Sequence, residues 1–311
     1  MMYLVTGGAG FIGSNIVSKL LNEGFKVRVI DNFSTGKREN IKIFVNDIEL
    51  IEGDIRSLGT VEKAVKGVDY ILHQAALPSV PRSISDPITT HEINTNGTLN
   101  LLDAATKNNI KRFVMASSSS IYGDIPELPK NENMTPNPLS PYAVSKLAGE
   151  HYCMVFNKLY NLPTVCLRYF NVFGPNQDPD SQYSAVIPKF IKAIMNNKSP
   201  VIYGDGSTSR DFTFVDNVVN ANISACKYEQ CIGNIINIAT NTGITLNNLV
   251  EKINRILKKE IPAIFESDKK GDIKHSLASI EKAKELIKYE PSVYFDEGLS
   301  RTVDTFRKLE N

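Results

Sequence analysis

A cluster of four serines and a Tyr-x-x-x-Lys pair are the residues of this chain best suited to proton transfer. The serines are Ser117–Ser120, and the pair is Tyr142 and Lys146. Pro141 favours a helix that begins just before the pair, and helical residues spaced i, i+4 lie on one face. A lysine ammonium lowers the pKa of a neighbouring phenol electrostatically, and a serine hydroxyl can hydrogen-bond to the same oxygen. The pattern therefore predicts that a tyrosine acts as a general base at this position.

The N-terminal stretch has the pattern of a dinucleotide-binding βαβ unit. An apolar strand is followed at once by Gly8-x-Gly10-x-x-Gly13, and a helical pattern then leads to a second strand that ends in Asp31. Glycines let the backbone approach a pyrophosphate, which the N-terminus of the next helix can bind. Asp31 is placed to accept hydrogen bonds from the adenosine ribose diol, and its charge favours NAD over NADP. A positively charged nicotinamide would lower the Tyr142 pKa further.

Three later strand ends carry residues that could contact such a cofactor. Asp54 and Ile55 follow the third strand and are placed to contact an adenine ring. The next strand ends at His73, which we interpret as a hydrogen-bonded structural histidine. The small residues Ala75 and Ala76 fit either close approach of the cofactor or tight helix–strand packing. The strand after that runs directly into the serine cluster, where ligands bind in open α/β sheets.

Strand and helix patterns alternate along the first half of the chain and loosen after it. The alternation predicts an α/β fold, a Rossmann-type doubly wound parallel sheet, with a smaller mixed α/β C-terminal substrate domain. We expect the NAD-binding domain to span 1–169 and the substrate domain to span mainly 170–311. A segment near 212–238 is expected to return to the sheet.

The composition argues against several other classes of protein. The 311 residues are 42% hydrophobic and 22% charged, as in ordinary globular proteins. A net charge of +1 provides no basic surface for nucleic acid, and no apolar run approaches the roughly 18 residues of a membrane span. The four cysteines lack Cys-x-x-Cys spacing, which favours reduced thiols over a metal site. We expect a cytoplasmic protein without metal, nucleic acid or membrane association.

These motifs resemble the extended short-chain dehydrogenase/reductase superfamily, and within it the nucleotide-sugar 4-epimerases. Asp31–Gly36, Arg168–Pro175 and Gly204–Asp211 are similar to signatures of that group. The resemblance implies Ser118, Tyr142 and Lys146 as catalytic residues. The predicted cofactor contacts, from motif and resemblance together, are Gly7, Gly10, Phe11, Ile12, Gly13, Asp31, Asn32, Ser34, Gly36, Asp54, Ile55, Gln74, Ala75, Ala76, Asn94, Ser117, Tyr142, Lys146 and Tyr169.

The resemblance also implies contacts with a UDP-sugar. Asn171 and Arg210 correspond to the residues that bind the diphosphate, and a guanidinium suits that bidentate role. Lys269 stands where the family has an arginine, and Asp272 is placed for the uridine ribose. The predicted substrate contacts are Ser79, Arg82, Ser118, Ser119, Tyr142, Asn171, Val186, Lys189, Tyr203, Arg210, Lys269, Asp272 and Ser276.

Three positions distinguish this chain from related enzymes. Sugar-nucleotide 4,6-dehydratases have an Asp-Glu pair where this chain has Ser119 and Ser120, and decarboxylases have a glutamate at the second of these places. Epimerases confined to unsubstituted hexoses have a tyrosine where this chain has Ser276. The resemblance therefore implies UDP-GlcNAc/UDP-GalNAc 4-epimerisation, and it allows UDP-Glc/UDP-Gal as a further pair. The alternatives are a UDP-glucose 4-epimerase and, less favoured, a UDP-glucuronate 4-epimerase. Relatives of this kind are homodimers that pair helices equivalent to about 94–106 and 142–159.

Overall fold

The protein is built on a parallel sheet of seven strands, and smaller strand pairs lie beyond its edge. A computed structural model describes residues 1–178, 185–267 and 274–310. The strands are β1 (Met2–Thr6), β2 (Lys26–Asp31), β3 (Ile48–Glu52), β4 (Tyr70–His73), β5 (Arg112–Ser118), β6 (Thr164–Tyr169), β7 (Val172–Phe173), β8 (Val201–Tyr203), β9 (Ser209–Asp211), β10 (Thr213–Phe214), β11 (Asn234–Ile238), β12 (Gly243–Thr245) and β13 (Ile264–Glu266).

The main sheet has the order β11-β6-β5-β4-β1-β2-β3, with every neighbouring pair parallel. The chain starts in the middle at β1, proceeds to one edge through β2 and β3, and then crosses to β4 on the other side. This reversal between β1 and β4 creates the crevice at which open α/β sheets bind ligands. The α/β, doubly wound fold class predicted from the sequence is confirmed.

Helices cover both faces of the sheet. They are α1 (Phe11–Asn22), α2 (Leu58–Val65), α3 (Val80–Ser85), α4 (Pro87–His91), α5 (Gly97–Thr106), α6 (Pro141–Tyr160), α7 (Val186–Met195), α8 (Val215–Lys227), α9 (Leu246–Leu257), α10 (Glu281–Ile287) and α11 (Phe295–Glu310). One buried cluster contains Leu101 and Leu102 of α5 with Phe156 of α6. The other contains Ile16 and Leu20 of α1 and continues into the second half of the chain.

The second half of the chain contributes to the main sheet as well as forming the smaller strand pairs. β11 lies within the segment that was expected to return, and it pairs with β6 at the edge of the main sheet. β7 pairs with β10, β9 with β12, and β8 with β13. The sheet is therefore completed by residues beyond 169, and the domain boundary at that position stays a prediction.

The helix expected over about 94–106 starts later than predicted and is preceded by a different type of turn. A short π-helix spans Glu92–Asn96 and α5 begins only at Gly97. The π turn places Asn94 against the chain around Leu77, where the Asn94 amide accepts from the backbone nitrogen at 2.7 Å and donates to the carbonyl oxygen at 3.2 Å. Such single-turn insertions occur often at functional sites. A periodicity argument cannot detect them because the apolar spacing on either side stays helical.

Candidate active site

A cavity of about 720 Å³ lies along the carboxyl ends of the central strands. Its volume falls in the range of natural cofactor and ligand sites. All but one of the predicted cofactor residues line it: Gly7, Gly10, Phe11, Ile12, Gly13, Asp31, Asn32, Ser34, Gly36, Asp54, Ile55, Gln74, Ala75, Ala76, Ser117, Tyr142, Lys146 and Tyr169. The exception is Asn94, which is buried beside this wall and donates to Ser145 Oγ at 3.1 Å.

The glycine turn between β1 and α1 has no room for side chains. Gly7 has φ +66°, and a Cβ there would lie 2.8 Å from the Ala75 Cα atom. A Cβ on Gly13 would lie 2.1 Å from the Gly7 carbonyl oxygen. The turn therefore brings bare backbone and the N-terminus of α1 to the cavity wall, as a pyrophosphate site requires. Because Ala75 both packs on Gly7 and lines the cavity, packing and cofactor approach each explain its small size.

Asp31 already organises the loops around it. Its two carboxylate oxygens accept hydrogen bonds from the backbone nitrogens of Ala9 and Phe33, at 2.9 and 2.8 Å. Each carboxylate oxygen has a further lone pair, so the same group can also accept from a ribose diol. Nearby, Asn32 donates to Asp54 at 2.9 Å. Hydrogen bonds from Arg56 hold the pKa of Asp54 below its ordinary value.

His73 has the structural role expected from the sequence. It is 2% exposed, and its ring nitrogens lie 2.7 Å from Thr6 Oγ1 and 2.9 Å from Thr98 Oγ1. Thr98 also donates to the Asn94 carbonyl oxygen at 2.6 Å, so its hydroxyl accepts from the histidine Nε2–H. Burial lowers the His73 pKa to about 3, and the ring is therefore neutral at physiological pH. These contacts join β1, β4 and α5 beneath the cavity.

The predicted catalytic pair, Tyr142 and Lys146, lies in the first turns of α6. Ser140 Oγ caps the helix by accepting from the Ala143 nitrogen at 3.2 Å, and Pro141 is its first residue. Lys146 is 5% exposed and donates from Nζ to the Ala116 carbonyl oxygen at 3.0 Å. The same Nζ lies 5.9 Å from the centre of the Tyr142 ring. α6 therefore holds both side chains against the end of β5.

The pKa values of this pair are governed mainly by burial. Burial raises the pKa of Tyr142, and a hydrogen bond from Ser118 offsets only part of that rise. This net direction is opposite to the one expected from the sequence. Burial also lowers the pKa of Lys146, to about 8, so much of its positive charge persists at neutral pH. Activation of Tyr142 therefore depends on positive charge beside it, from Lys146 and from a bound nicotinamide.

The serine cluster forms the end of β5 and a tight turn. Ser117 and Ser118 finish the strand, and a 3-10 turn spans Ser119–Tyr122. Ser118 Oγ accepts from the Ser120 nitrogen at 3.2 Å and from the Ser120 hydroxyl at 2.9 Å. Ser120 thus orients Ser118, a role that the sequence analysis missed because it treated that position only as a lost carboxylate.

A second cavity, of about 220 Å³, lies beyond the serine turn. It brings together Ser119, Asn171, Arg210 and Ser276, four of the predicted substrate residues. Asn171 has φ +35° and donates to the Asp211 carbonyl oxygen at 3.0 Å, while the Ser276 nitrogen donates to the Ser209 carbonyl oxygen at 3.0 Å. Arg210 donates to the same Ser209 carbonyl at 3.0 Å. The wall also includes Lys130 and His275, which sequence reasoning did not identify.

The remaining predicted substrate residues are distributed differently. Ser79 and Arg82 line the larger cavity. Val186 and Lys189 lie in the first turn of α7 and Tyr203 ends β8, and none of the three lines either cavity. Lys269 and Asp272 lie outside the described residues. The predicted roles of all these residues stay predictions.

The described ranges contain no group of three or more His, Cys, Asp or Glu side chains that could hold a metal ion. The four cysteines are buried free thiols. In the part of the chain that the structure covers, none of the helices has the length and apolar character needed to cross a membrane.

Comparison with known proteins identifies the class to which this fold and site belong. Residues 3–239 match the model of the NAD dependent epimerase/dehydratase family. The chain belongs to that family, and NAD is its cofactor. The predicted family and the predicted cofactor are thus confirmed. The glycine turn, Asp31 and the volume of the larger cavity fit a bound dinucleotide.

Three relatives are similar along nearly their whole length. The UDP-N-acetylglucosamine 4-epimerase of Methanobrevibacter ruminantium, solved in complex with UDP-N-acetylmuramic acid, is 43% identical, with 99% of this chain and 98% of that one covered and a TM-score of 0.94. The Thermus thermophilus UDP-glucose 4-epimerase, solved with NAD, is 37% identical, with 99% of each chain covered and a TM-score of 0.90. A UDP-glucuronate 4-epimerase of Thermodesulfobacterium geofontis is 35% identical over 97% of this chain and 95% of its own.

Proposed function

We propose that this enzyme is a UDP-sugar 4-epimerase that interconverts UDP-GlcNAc and UDP-GalNAc. The observation that carries the substrate proposal is the small residue Ser276 in the wall of the second cavity, beside Ser119, Asn171 and Arg210. A serine leaves room for an N-acetyl group where a tyrosine would fill the space. The 43% identity to a UDP-N-acetylglucosamine 4-epimerase supports the same substrate.

The reaction requires a base at the sugar C4 hydroxyl and a reversible hydride transfer. Tyr142 takes the hydroxyl proton, with Ser118 hydrogen-bonded beside it and Lys146 supplying positive charge. NAD, when bound in the larger cavity, would supply a reversible hydride acceptor for C4. Asn171 and Arg210 anchor the diphosphate while the 4-keto sugar turns its other face to the nicotinamide. Tyr142 then gives the proton back, so nothing is consumed overall.

The absence of carboxylates at the two positions that follow Ser118 favours epimerisation over elimination or decarboxylation. Ser119 and Ser120 occupy the first turn after β5, and Ser120 is engaged in orienting Ser118. Serine hydroxyls do not supply the additional acid and base that loss of water needs. The 4-keto sugar can therefore only be reduced again.

Replacing Tyr142 by phenylalanine tests the proton-transfer step. We expect Tyr142→Phe to lower kcat by at least about 100-fold, the typical contribution of a general base, with NAD content unchanged. The measurement is a coupled epimerase assay together with the cofactor absorbance of the purified protein. Near-normal turnover by this variant would refute the assigned base.

The substrate proposal is tested with four UDP-sugars and a change at Ser276. We expect wild-type enzyme to act on UDP-GlcNAc and UDP-GalNAc with higher kcat/KM than on UDP-Glc and UDP-Gal. Ser276→Tyr should lower kcat/KM for the acetylated pair by about 10- to 100-fold, the cost of about 1–3 kcal/mol for overfilling a packed site, and spare the plain pair. Ser276→Ala keeps the space and should keep the preference. Equal or better use of UDP-Glc by wild type would instead favour a UDP-glucose 4-epimerase.

We also propose that the enzyme is a homodimer formed through α6. The outer face of this helix exposes Val144, Tyr152, Val155 and Leu159, the last being 66% exposed. These residues share one face at helical spacing. Apolar side chains in such a row are typical of an interface and unusual on a monomer.

A further inference from the structure

A buried ion pair lies beneath the catalytic residues and has no part in the chemistry described above. Glu150 of α6 is 0% exposed and Arg168 of β6 is 2% exposed. Two nitrogens of the guanidinium donate to the two carboxylate oxygens, each at 2.8 Å. Ser117, at the end of β5, donates from Oγ to the same carboxylate at 2.6 Å. The guanidinium also lies over the Tyr122 ring, with its central carbon 4.7 Å from the ring centre.

Glu150 continues the row of side chains that begins with Tyr142 and Lys146. The three residues are spaced i, i+4, i+8 along α6 and lie on the face that meets the end of β5. Tyr142 hydrogen-bonds with Ser118, Lys146 donates to the Ala116 carbonyl, and Glu150 accepts from Ser117. α6 is thus joined to three consecutive residues of the strand.

We propose that Glu150, held by Arg168, is a positioning residue for catalysis: it fixes the register between the serine-bearing strand and α6, and its negative charge keeps Lys146 protonated. This inference rests on the proposed function only for the role of Tyr142 as the base. It assigns to the ion pair a contribution to the reaction, in addition to its contribution to the fold.

The charged and titratable groups around Lys146 single out Glu150 as the source of negative charge. On α6 these groups are Tyr142 and Glu150. β4 contributes His73, which is neutral because burial lowers its pKa to about 3. β6 contributes Arg168 and Cys166, whose thiol stays protonated because its pKa is well above the ordinary value. Among these groups Glu150 is the anion, and its charge raises the Lys146 pKa against the effect of burial.

A purely stabilising role explains this pair less well. Burying two charges costs much of what their attraction returns, and apolar replacements of such pairs are often as stable. The hydrogen bond from Ser117 also ties the carboxylate to the strand that carries Ser118. A carboxylate that contacts both the guanidinium and the strand beside Ser118 instead suits a group that holds a site in place.

The experiment compares two substitutions of Glu150 in the full-length holoenzyme. Glu150→Gln keeps the side-chain length and removes the charge. Glu150→Asp keeps the charge but is too short to reach both Ser117 and Arg168 with the present geometry. Glu229→Gln is the control for loss of a carboxylate paired with a buried arginine: Glu229, itself 82% exposed, pairs with the buried Arg112 at the opposite end of β5, at 2.8 Å. For each protein, kcat/KM is measured against pH with a UDP-sugar that the wild type converts.

We expect Glu150→Gln to shift the alkaline limb of the kcat/KM profile to lower pH by about one unit, because Lys146 then loses its proton at a lower pH. Glu150→Asp should keep the alkaline limb at its wild-type pH, because the negative charge remains. Its kcat should fall about tenfold, because the shorter side chain no longer fixes the register between the strand and α6. The control should match wild type in both respects. An unmoved limb in a folded Glu150→Gln enzyme would overturn the inference, since a structural role alone would lower activity equally at every pH.

A spectroscopic titration makes the test independent of turnover. The Lys146 amine is followed by nuclear magnetic resonance in protein with isotope-labelled lysine, without substrate, and its signal is assigned by its absence from Lys146→Arg. In Glu150→Gln the amine should lose its proton at lower pH than in wild type, because the negative charge of Glu150 no longer favours the ammonium. An unshifted titration overturns the inference, whereas failure of wild type to convert any UDP-sugar would count against the proposed function only.

The double variant Glu150→Gln/Arg168→Met covers the case in which the single change prevents folding. It removes the unpaired buried cation that would destabilise Glu150→Gln. We still expect the Lys146 titration and the alkaline limb to shift toward lower pH, but by less than in the single variant, because the positive charge of Arg168 is removed together with the negative charge of Glu150. Wild-type positions for both would overturn the inference.

Discussion

The pKa values of the two side chains proposed to be catalytic are set chiefly by their removal from water. Tyr142 and Lys146 are held between α6 and the end of β5, and burial disfavours the charged form of each. A phenolate and an ammonium can each offset that penalty for the other, so the two protonation states are linked. The pH dependence of the reaction should therefore reveal the lysine as well as the tyrosine.

The alkaline loss of activity is predicted from Lys146. Its pKa of about 8 means that the ammonium is present below this pH and is lost as the pH rises through it. We expect kcat/KM, which reports the enzyme before substrate binds, to fall above about pH 8. Lys146→Arg should abolish that fall at a lower overall rate, because a guanidinium stays protonated throughout. A fall near pH 8 that persists in the arginine variant would assign it to another group.

The sequence predicted the positions of the proposed catalytic side chains but not the side chains that hold them. Tyr142 and Lys146 could be found because their spacing places them on one face of a single helix. Glu150 could not, since its partners Ser117 and Arg168 lie on the strands against which the helix packs. Ser120 could not, since its hydrogen bonds to Ser118 depend on the 3-10 turn that follows β5. The one available signal for Glu150 was a charged residue at i+4 from Lys146, on the face that carries Tyr142.

At the scale of elements, residues 174–178, which follow β7, contact α1 and the segment after β2. Asn15 of α1 donates to the Pro175 carbonyl at 3.1 Å, and Asn176 donates to Ser14 Oγ at 3.1 Å. Lys37 pairs with Asp178 at 2.9 Å, and both residues line the larger cavity. These contacts join opposite walls of the cofactor site. They suit an enzyme that keeps its NAD through every catalytic cycle.

Weakening these contacts should release the cofactor. We expect the double variant Asn15→Ala/Lys37→Ala to lose NAD about tenfold faster than wild type, since one hydrogen bond and one exposed ion pair together contribute about 1–2 kcal/mol. The measurement is the bound NAD remaining after timed gel filtration. Arg38→Ala is the control, because Arg38 is an exposed neighbour that pairs with Glu52 at 2.7 Å and does not line the cavity. Equal loss from the control and the double variant would contradict the prediction.

Elements with strong periodicity were predictable, and those shaped by distant contacts were not. α9 was expected at Leu246–Leu257 and spans those residues. The helix expected at about residues 60–66 begins earlier, at Leu58. The π turn before α5 escaped prediction because its cause, the contacts of Asn94 with Leu77 and Ser145, is tertiary.

Across the whole molecule, α6 connects the reaction to the outer surface. Its inner face carries Tyr142, Lys146 and Glu150, and its outer face carries the exposed apolar row. α3 and α4 pack beside it and add Ile84 and Ile88, 66% and 72% exposed. The other helix expected in the dimer, α5, differs in that Leu101 and Leu102 are buried in the core. The apolar surface available for a second copy is therefore formed by α6 with α3 and α4.

A charge in the middle of this surface should separate the two copies. In a two-fold dimer each substitution occurs twice, so Val155→Glu places two carboxylates in one interface. We expect the dimer dissociation constant to rise at least about 100-fold, as burying an uncompensated charge costs several kcal/mol. Analytical ultracentrifugation over a concentration series measures it. Ile43→Glu, at an 86% exposed isoleucine outside the surface, is the control and should leave the association state unchanged. If Val155→Glu sediments like wild type, α6 does not form the interface. A dimer that packs the two copies of α6 together could not bury two carboxylates at its centre without losing affinity.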